Sequence, residues 1–284
     1  MPYLTVEDGT EIHYRDWGTG KPIVLIHGWP LNGEMWEKQA TFLAEQGFRV
    51  ITYDRRGFGM SSHPWGGYDY DTFAADLNAL MEKLNLFDVT FVGFSMGGGE
   101  VARYLSTFGA RRVSKAVLVS AVTPFLLKTA DNPEGIDQGK FDDIAFALRA
   151  DRPAFLKDFA LKFFGRTAMF EAVSDGVLEW NQSMALTASL RSTLAAARAW
   201  STTDFRTDLK RITIPVLLIH GTADVTVPIE ISARKAVQMI PIARLHEYEG
   251  EPHGLFITVA DRLNKELVTF IEELRAPLRD SAVA

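Results

Sequence analysis

The chain has 284 residues, 47% hydrophobic and 23% charged, a globular composition with material for a sizeable core that excludes disorder and collagen-like repeats. Thirty basic residues against thirty-six acidic ones give a net charge of −6, which argues against a nucleic-acid or anionic-membrane surface, since either needs a clustered basic excess. There is no cysteine, so disulfides, thiolate metal sites and a cysteine nucleophile are excluded.

The start, Met-Pro-Tyr-Leu-Thr-Val-Glu-Asp, has no basic or apolar leader, and no run of apolar residues is long enough to span a membrane. The expectation is a soluble, cytoplasmic protein. Tyr3–Val6 and Glu11–Trp17 flank an Asp8-Gly9 turn and predict a β-hairpin. Pro22–Ile26, Arg49–Thr52, Val89–Gly93 and Val113–Ser120 are compact apolar runs of the kind found in parallel strands buried on both faces. Between them, Met35–Gln46, Asp71–Leu84 and Met96–Phe108 predict helices; in the second, Phe73, Leu77, Leu80, Met81 and Leu84 share one face.

From about Pro124 to Trp200 the strand signal disappears, and Phe141–Leu148, Ala154–Phe164 and Ser189–Trp200 read as helical. Alternation returns with strand Val216–His220, helix Ile229–Met239, strand Arg244–Tyr248 and helix Thr258–Leu274, where Val259, Leu263, Leu267, Phe270 and Leu274 make a stripe. Strand–helix alternation implies right-handed crossovers and a mostly parallel sheet with helices on both faces. The expected organisation is a core domain of residues 1–123 and 201–284, with a helical cap inserted over 124–200.

The strongest chemical signal is Gly93-Phe94-Ser95-Met96-Gly97, which ends an apolar strand and opens a helix. A serine on that tight turn is lifted above the carboxyl ends of the strands, with the helix N-terminus beneath it. A serine nucleophile needs a base, and the base an orienting carboxylate. Among six histidines, His253 lies in the loop between the last strand and the last helix, at the same sheet edge as Ser95. Asp224 follows the strand Val216–His220, again at a carboxyl end. The expected catalytic residues are therefore Ser95, Asp224 and His253. His27 is expected to brace its loop, and Asp54 to be a structural turn residue, paired with Arg55 or Arg56 or capping local N–H groups. The strand Val24-Leu25-Ile26 ends in His27-Gly28-Trp29-Pro30, a sharp turn that Pro30 stiffens. The backbone N–H groups of Trp29 and Met96 are the expected oxyanion donors.

His27-Gly28-Trp29-Pro30, Tyr53-Asp54-Arg55-Arg56-Gly57-Phe58-Gly59, Gly93-Phe94-Ser95-Met96-Gly97-Gly98-Gly99-Glu100, Val119-Ser120-Ala121 and Asn132-Pro133-Glu134-Gly135 follow one another at characteristic spacing. Together they resemble the α/β-hydrolase group of cofactor-free haloperoxidases, which includes arylesterases, perhydrolases and γ-lactamases. The resemblance covers nearly the whole chain; the polar tail Pro277–Ala284 departs from it. It implies an α/β-hydrolase fold with an eight-stranded sheet and a homo-oligomer. It also implies that Val122 and Phe159 line the acyl pocket.

No haem or metal ligand set is visible in the sequence, so the expected cofactor is none, and the haloperoxidase label translates into acyl chemistry. Ser95 takes an acyl group from a small ester or carboxylic acid, hydrogen peroxide replaces water, and the released peracid oxidises halide in solution. An amide or lactam hydrolase on the same triad, and a non-catalytic binding protein of the same fold, are the alternatives. A dehalogenase or epoxide hydrolase is disfavoured, because those enzymes place aspartate where Ser95 stands. No nucleic-acid or membrane partner is expected.

Overall fold

The computed structural model describes residues 2–167, 169 and 171–273, so the expected stripe residue Leu274 and the tail Pro277–Ala284 lie outside the described residues. Strands β1 (Tyr3–Thr5), β2 (Glu11–Trp17), β3 (Pro22–Ile26), β4 (Arg49–Tyr53), β5 (Val89–Phe94), β6 (Val113–Val119), β7 (Val216–Gly221) and β8 (Ala243–Tyr248) form one sheet. Their order is β1-β2-β4-β3-β5-β6-β7-β8. The β1–β2 and β2–β4 pairings are antiparallel, and every later pairing is parallel. The eight-stranded, mostly parallel sheet is the one that the strand–helix alternation and the family resemblance together predict.

The central strands are mostly apolar because each buries both faces. Val24 and Ile26 of β3, Ala116 and Leu118 of β6, and Val216 and Leu218 of β7 point to one core. Their neighbours Ile23, Leu25, Val117, Val119, Leu217 and Ile219 point to the other. This is the period-two geometry of a strand covered on both sides. Helices α1 (Glu37–Glu45), α2 (Tyr70–Lys83) and α3 (Met96–Phe108) follow in chain order. Phe73, Leu77, Leu80 and Met81 of α2, with Val101 and Leu105 of α3, cover the first face. Each such fully buried side chain contributes about 1.5–3 kcal/mol.

Between β6 and β7 the chain carries α4 (Gln138–Phe163), α5 (Asp175–Thr187), α6 (Leu190–Thr202) and the short α7 (Arg206–Lys210). The two separately predicted helices, Phe141–Leu148 and Ala154–Phe164, both lie within α4 and are parted at Asp151 (φ −155°, ψ 85°), whose carboxylate accepts the Ala154 N–H at 3.0 Å and caps the second of them. The α5 helix is absent from the sequence expectation because its inward stripe is interrupted by a buried polar residue, Asn181.

The predicted helix Ile229–Met239 shrinks to α8 (Ala233–Ala236), flanked by turns. Ser232 (φ −120°, ψ −100°) is non-helical, and its hydroxyl donates to the Pro228 carbonyl instead. The last predicted helix, Thr258–Leu274, is found as α10 (Ala260–Glu272), and across Val259 it is preceded by a short helix that the sequence did not predict, α9 (Leu255–Thr258). Leu263, Leu267 and Phe270 of α10 pack with Leu43 of α1 on the second face of the sheet.

Candidate active site

Ser95 sits between β5 and α3 with φ 53° and ψ −115°. That conformation is disfavoured for a residue with a Cβ, and surrounding contacts hold it. Its N–H donates to the Val119 carbonyl at 2.8 Å, and its own carbonyl accepts from Gly98 at 3.0 Å and Val122 at 3.2 Å. The glycines are there because backbones meet. A Cβ on Gly93 would stand 2.5 Å from the Gly97 oxygen, and one on Gly97 would stand 2.4 Å from the Ile26 oxygen. The serine is thereby fixed over the N-terminus of α3 with its side chain 6% exposed as a residue.

His253 comes from the loop between β8 and α9. Its Nε2 lies 3.0 Å from Ser95 Oγ, and its Nδ1 lies 2.6 Å from Asp224 Oδ2. The ring is held between Phe94 and Phe163, with centroids 4.8 and 4.9 Å away. The next residue, Gly254, donates its N–H to the Phe163 carbonyl at 2.8 Å, so α4 fastens this loop. Asp224 follows β7, and its Oδ1 accepts the N–H groups of Thr226 (2.9 Å) and Val227 (2.8 Å). Burial alone would push the Asp224 carboxyl up; the charge of His253, the nearby His220 N–H and the hydrogen bond from His253 outweigh it and hold the group well below the usual carboxylate range. The ionised acid accepts from Nδ1–H, which leaves the Nε2 lone pair turned toward Ser95.

The turn His27-Gly28-Trp29 lies directly against the serine. A Cβ on Gly28 would stand 2.6 Å from Phe94 Cδ1 and 3.0 Å from Ser95 Cβ. His27 Nε2 accepts the Arg55 N–H at 2.9 Å, so its Nδ1 carries the proton and faces the Gly28 carbonyl at 3.0 Å. Burial, then the Arg55 charge, push this imidazole down to about 3, so it braces the turn as a neutral group. Arg55 Nη2 donates to the His27 carbonyl at 3.0 Å and lies 2.6 Å from Glu100 Oε2 on α3. Tyr53 donates its hydroxyl to the same carboxylate. Asp54 caps local N–H groups, accepting from Gly33 (2.8 Å) and Met60 (2.9 Å). Its side-chain partner is His13 (2.9 Å) rather than the expected Arg55 or Arg56. Those arginines turn to Glu100 and to Asp76 with Asp8.

Of the two residues expected in the acyl pocket, Val122 is buried and hydrogen-bonded to the Ser95 carbonyl, while Phe159 on α4 packs its ring 5.3 Å from Trp29. The Trp29 indole donates to the Thr193 carbonyl of α6 at 2.9 Å and packs 5.7 Å from Trp200. Trp200 also walls an outer cleft of about 690 Å³ between the 66–69 loop, α4 and α6.

This geometry agrees with kinship. Residues 21–259 match the alpha/beta hydrolase fold family. The chain belongs to that family. It is 45% identical over 275 residues to a non-heme haloperoxidase of Rhodococcus erythropolis, covering 96% of this chain and 100% of that one. It is 40% identical over 276 residues to a bifunctional esterase/perhydrolase of Acinetobacter calcoaceticus, with 95% and 99% covered. The solved bromoperoxidase from Bacillus anthracis superposes with a TM-score of 0.90 at 49% identity, over 93% of this chain and 96% of that one.

Three parts of this α/β-hydrolase site escaped sequence reasoning. Phe163, which flanks His253, is one apolar residue of a helix among many. The Arg55–Glu100 pair joins positions 45 apart in sequence. His220 lies 3.1 Å from Asp224 at i,i+4 spacing, a signal visible in the sequence but read there only as the end of a strand.

Proposed function

We propose that this α/β-hydrolase is a serine esterase that forms an acyl-enzyme at Ser95 and passes the acyl group to water or to hydrogen peroxide. The observation that carries the proposal is the buried hydrogen-bonded row from Ser95 through His253 to Asp224. His253 Nε2 takes the Ser95 proton as Oγ bonds to the ester carbonyl carbon. The carbonyl electron pair becomes an oxyanion within reach of the Trp29 and Met96 N–H groups. Collapse expels the alcohol, which leaves with the proton from His253. The base then deprotonates water, giving the acid, or hydrogen peroxide, giving the peracid. The peracid oxidises halide outside the site, so the haloperoxidase reaction runs without a cofactor.

The aromatic surroundings of Trp29, with Val122 and Phe159 as the proposed acyl pocket, favour small acyl or aryl esters. Residues 124–200, which supply Phe159 and Phe163, form the proposed cap. No helix among the described residues is long and apolar enough to cross a membrane. A cytoplasmic location and a homo-oligomer belong to the same proposal, and fractionation and light scattering test them.

The decisive experiment compares wild type and Ser95→Ala for ester cleavage, for halogenation with peroxide plus an acyl donor, and for labelling by a serine-directed phosphonate. All three are expected to vanish together, with turnover down about a thousandfold or more. Halogenation that persists in Ser95→Ala, or without an acyl donor, rejects the acyl-enzyme route.

A further inference from the structure

His220, next to last in β7, has its side chain fully buried, and its Nε2 has two groups in reach: the Val227 carbonyl, its hydrogen-bond partner at 2.8 Å, and Asp224 Oδ2 at 3.1 Å. Both are acceptors only, so Nε2 carries a proton. Nδ1 is buried and without a hydrogen-bond partner, so these contacts select the Nε2–H tautomer.

The Asp224 carboxylate takes hydrogen bonds from Thr226 and Val227 on Oδ1 and from His253 on Oδ2, while the His220 N–H, bonded to the Val227 carbonyl, stands 3.1 Å from Oδ2. We infer that His220 is a positioning residue of the reaction, its N–H dipole standing against Asp224 Oδ2 and so limiting the charge that the acid offers to the base. This rests on the serine-hydrolase reading of Ser95, His253 and Asp224. The two N–H groups on Oδ1 anchor the carboxylate by themselves. The His220 dipole therefore acts on how strongly Oδ2 holds the His253 proton. With that dipole removed, Oδ2 concentrates its charge on His253 and the imidazolium is stabilised. Other charged groups around the pair differ in kind. Glu247 of β8, in register with His220, is paired with Arg234 at 2.7 Å, and Glu251 accepts from Thr258 at 2.7 Å.

The test is the pH profile of kcat/KM for ester cleavage in wild type, His220→Leu and His220→Gln, with phosphonate labelling of Ser95 read in each. In His220→Leu the acid limb moves up by about half a pH unit, since the N–H dipole against Oδ2 is gone. KM is expected to hold, because His220 touches no substrate. Glutamine carries an N–H at the Nε2 position and returns the limb toward wild type. A limb in His220→Leu that stays in place or moves down, or one that moves equally in both variants, overturns the inference. If neither variant folds, nitrogen NMR of the wild-type imidazoles decides: His220 carries its proton on Nε2, and an Nδ1–H His220 overturns it. A wild type that the phosphonate does not label rejects the serine reading itself, whatever His220 does.

Discussion

Arg55 and Glu100 form a wholly buried ion pair, 2.6 Å apart, that ties the helix beneath Ser95 to the turn carrying Trp29. Glu100 stands on α3, and Arg55 reaches back to the His27 carbonyl at 3.0 Å. Burial pushes the Glu100 carboxyl up, and the Arg55 charge opposes that. Glu100→Gln keeps the shape and leaves the guanidinium uncompensated. Removing one partner of such a pair costs about 3–5 kcal/mol, so urea denaturation is expected to show a large loss of stability. A variant as stable as wild type would mean that the pair does not hold these elements together.

Asp224→Asn is expected to lower kcat by about four orders of magnitude with KM little changed, because the amide favours the wrong imidazole tautomer and does not stabilise imidazolium; the scale is that of the comparable substitution in a serine protease. Asp54→Asn, at a carboxylate that serves His13, Gly33 and Met60, is expected to reduce stability rather than kcat. Steady-state kinetics and melting curves on both variants separate the roles. A larger kcat loss in Asp54→Asn at equal stability would reverse the assignment.

Asp8 is held down at about 2, chiefly by its hydrogen bond from Arg56. A carboxyl depressed in the folded state contributes stability that is present above the unfolded value, about 3.9, and is lost as pH falls through the folded one. The melting-temperature gap between wild type and Asp8→Asn is thus expected at neutral pH and closes as pH drops from about 4 toward 2. Asp8 is exposed, so added salt also narrows the gap. A gap that widens in acid contradicts the Arg56 pairing.

Gly28→Ala introduces a methyl that must push against the Phe94 ring and the Ser95 Cβ, 2.6 and 3.0 Å away. Displacing the turn moves the Trp29 N–H from the oxyanion. A shift approaching an ångström lowers kcat about a hundredfold. Kinetics on one acetate ester, with circular dichroism to verify folding, measure the loss.

Exhaustive chelation is expected to leave both ester cleavage and peroxide-dependent halogenation intact, since in the proposed mechanism Ser95, His253 and Asp224 supply the nucleophile, base and acid themselves. Activity lost to chelation and restored by one added metal overturns this, with metal content followed by elemental analysis.

The parallel strands were legible because burial on both faces leaves uninterrupted apolar runs, as in Val89-Thr90-Phe91-Val92, and Ser95 because glycines must flank a serine where β5, α3 and β3 crowd together. Asp224 and His253 were legible from their places after β7 and β8. What stayed hidden depends on tertiary partners or on single backbone choices. Val259 parts α9 from α10 inside a helical pattern. The side-chain partners of Asp54, Arg55 and Arg56 follow from where each side chain points, and composition says nothing of that. His220 looked like any strand-ending residue until Asp224 curled back beside it.

Phe163 has a double attachment, its carbonyl to Gly254 and its ring to His253. Specificity and machinery thus share one helix but part ways within a single turn of it. If Phe159 lines the proposed pocket, exchanging residues around it between relatives is expected to change what enters, whereas a graft that crosses Phe163 also transplants the seat of the proposed base. Chimaeras joined before that residue are expected to inherit a new preference with the old rate. Those joined after it must import the matching loop around His253 as well.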